Sequence, residues 1–294
     1  TIGTLGSKQA KIIPAYLIPG SPVGGNFYNN FNYNVLKIFL IYFISTIFII
    51  FLFNFFNLRL LESLHMSLTV ISSGGFLTSG LLSNIFIEDS QIFILSLCLL
   101  FPIFNFYILF KIFTKQYKFK DHQEDFHLLI IILFITLSFY FFILPSEKII
   151  DVFLSVCTSL STSGISTLSN SNPDTSLFFI FLTIIGGSLI STSSGFKYIR
   201  FYILMKISYH EIYRLVKPIN IFNRNLFNSD SIIDDEDAKI AFLVFISFLI
   251  SIFILSSISS FENLSFENAF KLSILTLTNT VTSGLYGIEN LDFS

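Results

Sequence analysis

The sequence VISSGGFLTSG at residues 70–80 follows an apolar segment that is long enough to cross a bilayer. Its glycines and hydroxyl residues weaken a helix and leave backbone amides and carbonyls without partners. Inside a membrane each such unpaired group costs several kcal/mol, unless the backbone lines a water-filled cavity or is buried in protein. The stretch therefore predicts a loop that enters the membrane beside a cavity.

The composition supports a membrane setting. Of the 294 residues 53% are hydrophobic and only 12% are charged, and the mean hydropathy is +0.75. A soluble domain carries about 25% charged residues. A helix needs about 20 apolar residues to cross the hydrocarbon core, and mostly apolar segments near or above this length occupy 35–56, 91–113, 127–144, 176–206 and 240–260. We predict an all-α polytopic membrane protein.

The same short pattern occurs three times along the chain. The three stretches are LLESLHMSLTVISSGGF (60–76), KIIDVFLSVCTSLSTSGIS (148–166) and ENAFKLSILTLTNTVTSGLYG (267–287). Each has an amphipathic start and contains Ser-Gly preceded by a hydroxyl residue, and a spanning segment comes before each. One such tripeptide is a common helix-packing feature, but repetition in one topological position indicates repeated helix–pore-loop–helix units. The tripeptides are Ser72-Ser73-Gly74, Thr162-Ser163-Gly164 and Thr282-Ser283-Gly284.

Charge placement gives the same topology independently. If 111–125 is cytoplasmic, alternation of the spans puts 57–90, 145–175 and 261–294 outside, so that all three loops share one side. Lys and Arg then divide as 14 inside and 3 outside, while 10 of the 19 acidic residues lie outside. The positive-inside rule predicts this direction. The outer face becomes net −7 and the inner face +5, which together give the chain's −2.

Loops of this kind suit a cation pathway. Backbone carbonyls arranged around an axis can replace the hydration shell of an ion. The half-helices would direct the negative ends of their dipoles toward the cavity, which favours a cation there. The acidic outer face would concentrate cations near the entrance. We therefore predict a transport protein rather than an enzyme.

These residues resemble the Trk/Ktr/HKT potassium transporter superfamily, and in particular its TrkH-like membrane subunits. The stretch FFIFLTIIGGSLISTSSGFKYIRFYILMK (178–206) is similar to the Gly-Gly-x-x-x-Ser-Thr-x-x-Gly-x-Lys sequence after that family's third pore loop. ISSGGF and STSGIS resemble its second and third filters. NTVTSGLYG resembles the fourth filter, Asn-x-x-Gly-Pro-Gly-Leu-Gly, with Thr282 where a glycine is usual. The family fold has four repeats around one pore, so the chain is expected to be a fragment that lacks the first repeat and the last helix.

The resemblance implies a function and a set of filter residues. It implies potassium uptake through a selectivity filter, with K⁺ as the permeant ion, no cofactor or other metal bound by this chain and no nucleic-acid partner. It also implies a multi-pass protein of the bacterial inner membrane that forms a homodimer and binds a cytosolic nucleotide-binding regulatory subunit. The residues implied to contact the ion are Ser72, Ser73, Gly74, Thr162, Ser163, Gly164, Thr282, Ser283 and Gly284.

The repeats and the linkers divide the chain into five parts. We expect a cytoplasmic linker at 1–34, a first repeat at 35–113, a second repeat with a broken gating helix at 114–207, a cytoplasmic loop at 208–238, and a third repeat, truncated before its second helix, at 239–294.

Segment 176–206 is too long to be one straight span. As a helix its 31 residues would cover about 46 Å, against a hydrocarbon core of about 30 Å. The resemblance implies a gating loop beneath the filter, made by Gly186, Gly187, Ser191, Thr192, Ser193, Ser194, Gly195 and Lys197. The alternative is a small-residue packing face, with the lysine reaching the inner surface.

Two other classes of protein are compatible with broken helices. A secondary transporter would show inverted repeats and an ionisable residue near the midplane, whereas these units share one orientation and no acidic residue lies in mid-span. An intramembrane serine hydrolase would need one serine beside a base, whereas three equivalent serines without three bases argue against it.

Overall fold

The structure is a computed structural model that describes residues 31–78, 82–105, 123–168, 173–216, 233, 235–261 and 264–288. Within these ranges the regular structure is helical, which confirms the predicted all-α polytopic architecture. Several predicted segments lie outside the described residues: most of the linker (1–30), most of the basic loop (106–122), the centre of the 208–238 insert (217–232 and 234) and the end of the chain (289–294).

Three long helices carry the membrane-facing surface. They are α1 (Phe31–Phe55), α5 (Gln123–Phe142) and α9 (Asp235–Phe261), and α5 and α9 are long and apolar enough to cross a membrane over their full described length. Large apolar side chains on these helices stay exposed, among them Phe51 and Phe253 at 70% and 69%. Apolar exposure on this scale needs a lipid environment.

Each long helix is followed by a half-helix that packs against it. The half-helices are α2 (Leu60–Ser72), α6 (Ile149–Ser161) and α10 (Phe266–Leu277), with 13, 13 and 12 residues. At about 1.5 Å per residue they rise less than 20 Å and cannot cross a core of about 30 Å. Each must therefore end inside the protein, and the chain turns back there.

The returning helices are broken at identifiable residues. Asp89–Cys98 (α3) and Leu100–Ile103 (α4) are separated at Leu99, since Pro102 has no amide to donate to the Cys98 carbonyl one turn earlier. In the second repeat, Pro173–Ile185 (α7) and Tyr198–Val216 (α8) are separated by residues 186–197. Two boundaries differ from the sequence prediction: α1 begins inside the predicted linker, and α8 continues into the segment predicted as a loop from 208.

The interior carries hydroxyl groups where a soluble protein would have only apolar side chains. Helix α6 lies at the centre, in contact with α3, α5 and α7. Its C-terminal end and the residues that follow are fully buried although most are polar, including Ser159, Ser161, Thr162 and Ser163. Polar atoms inside and phenylalanines outside are the arrangement expected around an aqueous pathway in a membrane.

Candidate functional site

The three half-helices end in the same way. At each end one residue takes a left-handed backbone conformation: Ser73 (φ 54°), Thr162 (φ 60°) and Asn279 (φ 51°). Its amide donates to the carbonyl three residues before it, and the next amide donates to a carbonyl five residues back. This pair of bonds satisfies the last carbonyls of a helix without extending it. The chain therefore leaves each half-helix along an equivalent path, in loop A (73–76), loop B (162–165) and loop C (279–282).

The common helix end aligns the three loops with one another. This alignment differs from the one that the Ser-Gly tripeptides give. Two residues beyond the left-handed position stand Gly75 in loop A, Gly164 in loop B and Val281 in loop C. Gly75, not Gly74, has a positive φ like that of Gly164, at 69° and 79°. Gly284 lies further along and begins the short 3-10 helix Gly284–Tyr286. Counted from the left-handed residue of each repeat, Gly74 therefore lies one residue earlier than Gly164, and Gly284 lies three residues later than Gly164.

The three loops meet at these positions. A Cβ atom built on Gly75 would lie 1.6 Å from the Ser163 carbonyl oxygen and 3.0 Å from a methyl group of Val281. One built on Gly164 would lie 2.3 Å from the Val281 carbonyl oxygen. Backbone of loop A thus contacts loop B, and loop B contacts loop C, without space for a side chain. The carbonyl oxygens of Ser163 and Val281 thus each lie against the backbone of a neighbouring repeat.

Hydroxyl groups line the second loop more densely than the others. Ser163 shares hydrogen bonds with the hydroxyls of Thr158 (2.8 Å) and Ser161 (3.0 Å). Where α10 leads into loop C, the hydroxyls of Thr278 and Thr280 are 2.8 Å apart. By contrast, the Ser283 hydroxyl is buried and has no hydrogen-bond partner in the described part of the chain. Ser72 bonds back into its own helix, at the Leu68 carbonyl.

Residues 186–197, the intramembrane loop, lie directly against loops A and B. The Thr192 hydroxyl donates to the Ile71 carbonyl at 2.9 Å and lies 3.5 Å from the Ser73 hydroxyl. The amide of Ser194 donates to the Thr162 hydroxyl at 2.9 Å. The segment that the sequence placed beneath the loops is therefore bonded to two of them.

Lys197 closes the intramembrane loop on itself. Its ammonium group donates to the Ser191 carbonyl (3.2 Å), to the Ser191 hydroxyl (3.0 Å) and to the Ser193 carbonyl. The backbone of Lys197 has a φ of 78°, a region that side chains rarely adopt. These bonds satisfy all three donors of the ammonium group. The ammonium group is therefore bonded within the loop, while the residue as a whole stays partly exposed.

The other edge of the intramembrane loop is held by helix α4 and its end. The amide of Ser188 donates to the Ile103 carbonyl at 2.8 Å, and the amide of Ser193 donates to the Pro102 carbonyl at 3.1 Å. A Cβ on Gly187 would lie 2.5 Å from the same Ile103 oxygen, so the two backbones touch. Because α4 ends at Ile103, its last carbonyls have no partner within the helix and are free to accept these bonds.

Sequence reasoning missed two buried acids at the start of α5. Glu124 and Asp125 were assigned to a cytoplasmic loop, but they are only 5% and 6% exposed. Glu124 Oε1 accepts from the amide of Leu189 in the intramembrane loop at 3.1 Å, and Asp125 Oδ1 accepts from the amide of Asn105 at 2.9 Å. No motif marks them, because their partners are distant in sequence.

The N-terminal ends of α6 and α10 carry paired charges. Lys148 contacts Asp89 at 2.8 Å, and this carboxylate raises the pKa of the lysine. Glu267 contacts Lys271 at 2.7 Å, and the lysine lowers the pKa of that carboxyl group. Lys271 is almost fully buried beside Gly287, and sequence reasoning had counted it only as a surface charge. Among the described residues no group of His, Cys, Asp and Glu could hold a metal ion.

The architecture is that of a TrkH-like membrane fold. The crystal structure of the potassium transporter TrkH from Vibrio parahaemolyticus superimposes with a TM-score of 0.73 and 20% identity, over 91% of this chain and 58% of that one. The sequence is 28% identical over 263 residues to an uncharacterized cation transporter of Methanocaldococcus jannaschii, covering 84% of this chain and 54% of that protein. No protein-family model matches the sequence. The chain thus spans a little over half the length of each of these proteins.

Proposed function

We propose that the protein conducts cations, with potassium as the permeant ion, along a pathway through the meeting point of loops A, B and C. The observation that carries this proposal is the convergence of backbone from three repeats at Gly75, Gly164 and Val281. At Gly75 and Gly164 there is no space for a side chain, so backbone carbonyl oxygens are the groups offered to an ion there. Three half-helices end at this point with the negative ends of their dipoles, which favours a cation.

The intramembrane loop would close this pathway from the predicted cytoplasmic side. It bonds to the ends of two half-helices, at Ile71 and Thr162. Its lysine places a positive charge beneath a cation site, which opposes ion passage while the loop stays in place. Leu189 and Phe196 add apolar contacts, but the polar bonds and the ammonium group that also hold the loop favour a gate over a static packing face.

The names of the similar proteins support the class of function. One is a potassium transporter and the other a cation transporter, which agrees with transport rather than enzymatic chemistry. By the same similarity we propose that the full-length protein works in the plasma membrane, forms a homodimer and binds a cytosolic nucleotide-binding regulatory subunit. The ion-contacting role of Ser72, Ser73, Gly74, Thr162, Ser163, Gly164, Thr282, Ser283 and Gly284 remains part of the proposal, with Gly75 and Val281 added to it by their position.

The test is cation flux through the full-length protein in liposomes. Rubidium uptake should exceed that of empty liposomes, and external potassium should compete with it more strongly than sodium does. Folded protein that gives no uptake above the empty liposomes would refute cation conduction. Equal competition by the two ions would refute the preference for potassium while leaving conduction intact.

A further inference from the structure

Glu124 is a buried acid that holds the intramembrane loop. Its Oε1 accepts from the amide of Leu189, the third residue after Gly186, where the loop begins. The other contacts that this loop makes to the rest of the protein, at Pro102, Ile103, Ile71 and Thr162, are to carbonyl or hydroxyl oxygens. Among these described contacts Glu124 therefore provides the charged acceptor.

The carboxylate also faces the charged and titratable groups at the far end of the loop. Glu124 and Lys197 attract each other, while Asp125 next in sequence repels it and Tyr198 lies within its field. Lys197 in turn is repelled by Arg200. One acid on α5 thus interacts with both ends of the loop, through a hydrogen bond at Leu189 and through charge at Lys197.

The carboxylate is incompletely satisfied. Its second oxygen, Oε2, is buried and has no hydrogen-bond partner among the described residues. The hydroxyl of Ser188, the residue before Leu189, is also buried without a partner among them. Buried polar atoms without partners are uncommon and point to a strained or switchable arrangement. A carboxylate that has one unbonded oxygen, and that is stabilised by the backbone of Leu189 and Ile199 and by the charge of Lys197, can release the loop at a lower cost than a fully bonded one.

We propose that Glu124 is a positioning residue that keeps the intramembrane loop across the pathway through its negative charge. The inference rests on the proposed function, because it takes this loop to be the closing element. Glu124→Gln removes the charge and keeps the shape of the side chain, and it should loosen the loop. Glu124→Asp keeps the charge and shortens the side chain, and it should loosen the loop less.

The experiment measures the accessibility of the loop directly. A single Ser194→Cys substitution places a thiol in the loop and keeps the backbone amide that bonds to Thr162. The native Cys98 and Cys157 are buried and serve as the unreactive background. Labelling by a charged, water-soluble thiol reagent is then compared with and without Glu124→Gln, in the full-length protein in liposomes.

Glu124→Gln should label about fivefold faster, which is the ratio expected when a charged acceptor becomes a neutral one. Cation flux per folded molecule should rise with it. Glu124→Asp should fall between wild type and Glu124→Gln. Asp125→Asn changes the adjacent buried acid, whose Oδ1 accepts from the amide of Asn105, and should accelerate labelling less than Glu124→Gln.

Two results would overturn the proposal. One is a Glu124→Gln protein that labels at the wild-type rate, and the other is Glu124→Asp labelling faster than Glu124→Gln, which would assign the effect to packing. If Glu124→Gln does not accumulate, Glu124→Asp alone decides, since it must label faster than wild type. Faster labelling without any cation flux would support the role of Glu124 and refute the proposed conduction, because labelling does not depend on which ion passes.

Discussion

Replacing Gly75 by alanine should damage the protein far more than replacing the adjacent Gly74. The tripeptides in the sequence point to Gly74, whereas the common helix ends place Gly75 beside loops B and C. The two substitutions add the same methyl group to neighbouring residues. They therefore form a matched pair that tests the register of the loops.

The magnitude follows from the contacts of the added methyl group. At Gly75 it would lie 1.6 Å from the Ser163 carbonyl oxygen, where ordinary contact begins at 3.4 Å, so that backbone must withdraw by about 1.8 Å. The positive φ of 69° adds about 1–2 kcal/mol for a residue with a Cβ. That energy alone lowers the population of the native loop about 5- to 30-fold. At Gly74 the nearest atom is the Ser72 hydroxyl at 3.1 Å, which can rotate away.

Rubidium uptake into liposomes, divided by the amount of monodisperse folded protein, gives the comparison. We expect Gly75→Ala to lose at least about tenfold in uptake or in the preference for potassium over sodium, and Gly74→Ala to lose much less. Thermal unfolding of both proteins in detergent shows whether the loss reaches the whole fold. The register would be refuted if Gly74→Ala were the more damaging change, or if Gly75→Ala kept both uptake and selectivity.

Three further predictions concern the intramembrane loop and the outer charges. Lys197→Ala, or deletion of Ser191–Ser194, should raise cation flux per folded molecule, because three hydrogen bonds that shape the loop disappear; a uniform fall in flux would favour a static packing face. Glu267→Gln should lower the thermal stability at neutral pH, and its difference from wild type should vanish in acid. The lysine partner lowers the pKa of Glu267 from its ordinary 4.5, so the stabilisation is present above that value and is lost as the pH falls through the lowered pKa; a difference that persists in acid would contradict the ion-pair explanation. Neutralising Glu62, Asp151 and Glu267 together should reduce uptake most at low external ionic strength, where screening is weakest, and an equal loss at high salt would argue against electrostatic attraction of the ion.

The repeated unit and the all-helical fold could be predicted because their causes are local. Half-helices of 12 or 13 residues are too short to span, and the glycine and hydroxyl residues after them end the helix. The excess length of segment 176–206 likewise predicts an interruption, and the structure breaks it at 186–197. These features follow from hydrophobic length and backbone propensity, which a single sequence contains.

The register of the loops could not be predicted because it depends on hydrogen bonds and not on residue types. Loop C has Asn279 at the left-handed position and Val281 where the other loops have glycine. The Thr-Ser-Gly tripeptide at 282–284 has the composition of the other repeats. Its glycine, however, lies three residues after Val281, the position equivalent to the glycines of the other loops. Glu124 was missed for a related reason, since its partner Leu189 is 65 residues away and the charge count placed it in a cytoplasmic loop.

The contacts between the intramembrane loop and the half-helix ends make the two regions mechanically dependent. The Thr192 hydroxyl donates to the carbonyl of Ile71, in the last turn of α2. The Ser194 amide donates to the hydroxyl of Thr162, the left-handed residue that follows α6. If the loop withdraws, both acceptors lose their partners within a buried site. A neutral hydrogen bond contributes about 0.5–1.5 kcal/mol, and an acceptor left unsatisfied costs about 1–3 kcal/mol. Water that enters as the loop leaves can satisfy these acceptors, so opening of the pathway and hydration of loops A and B must occur together.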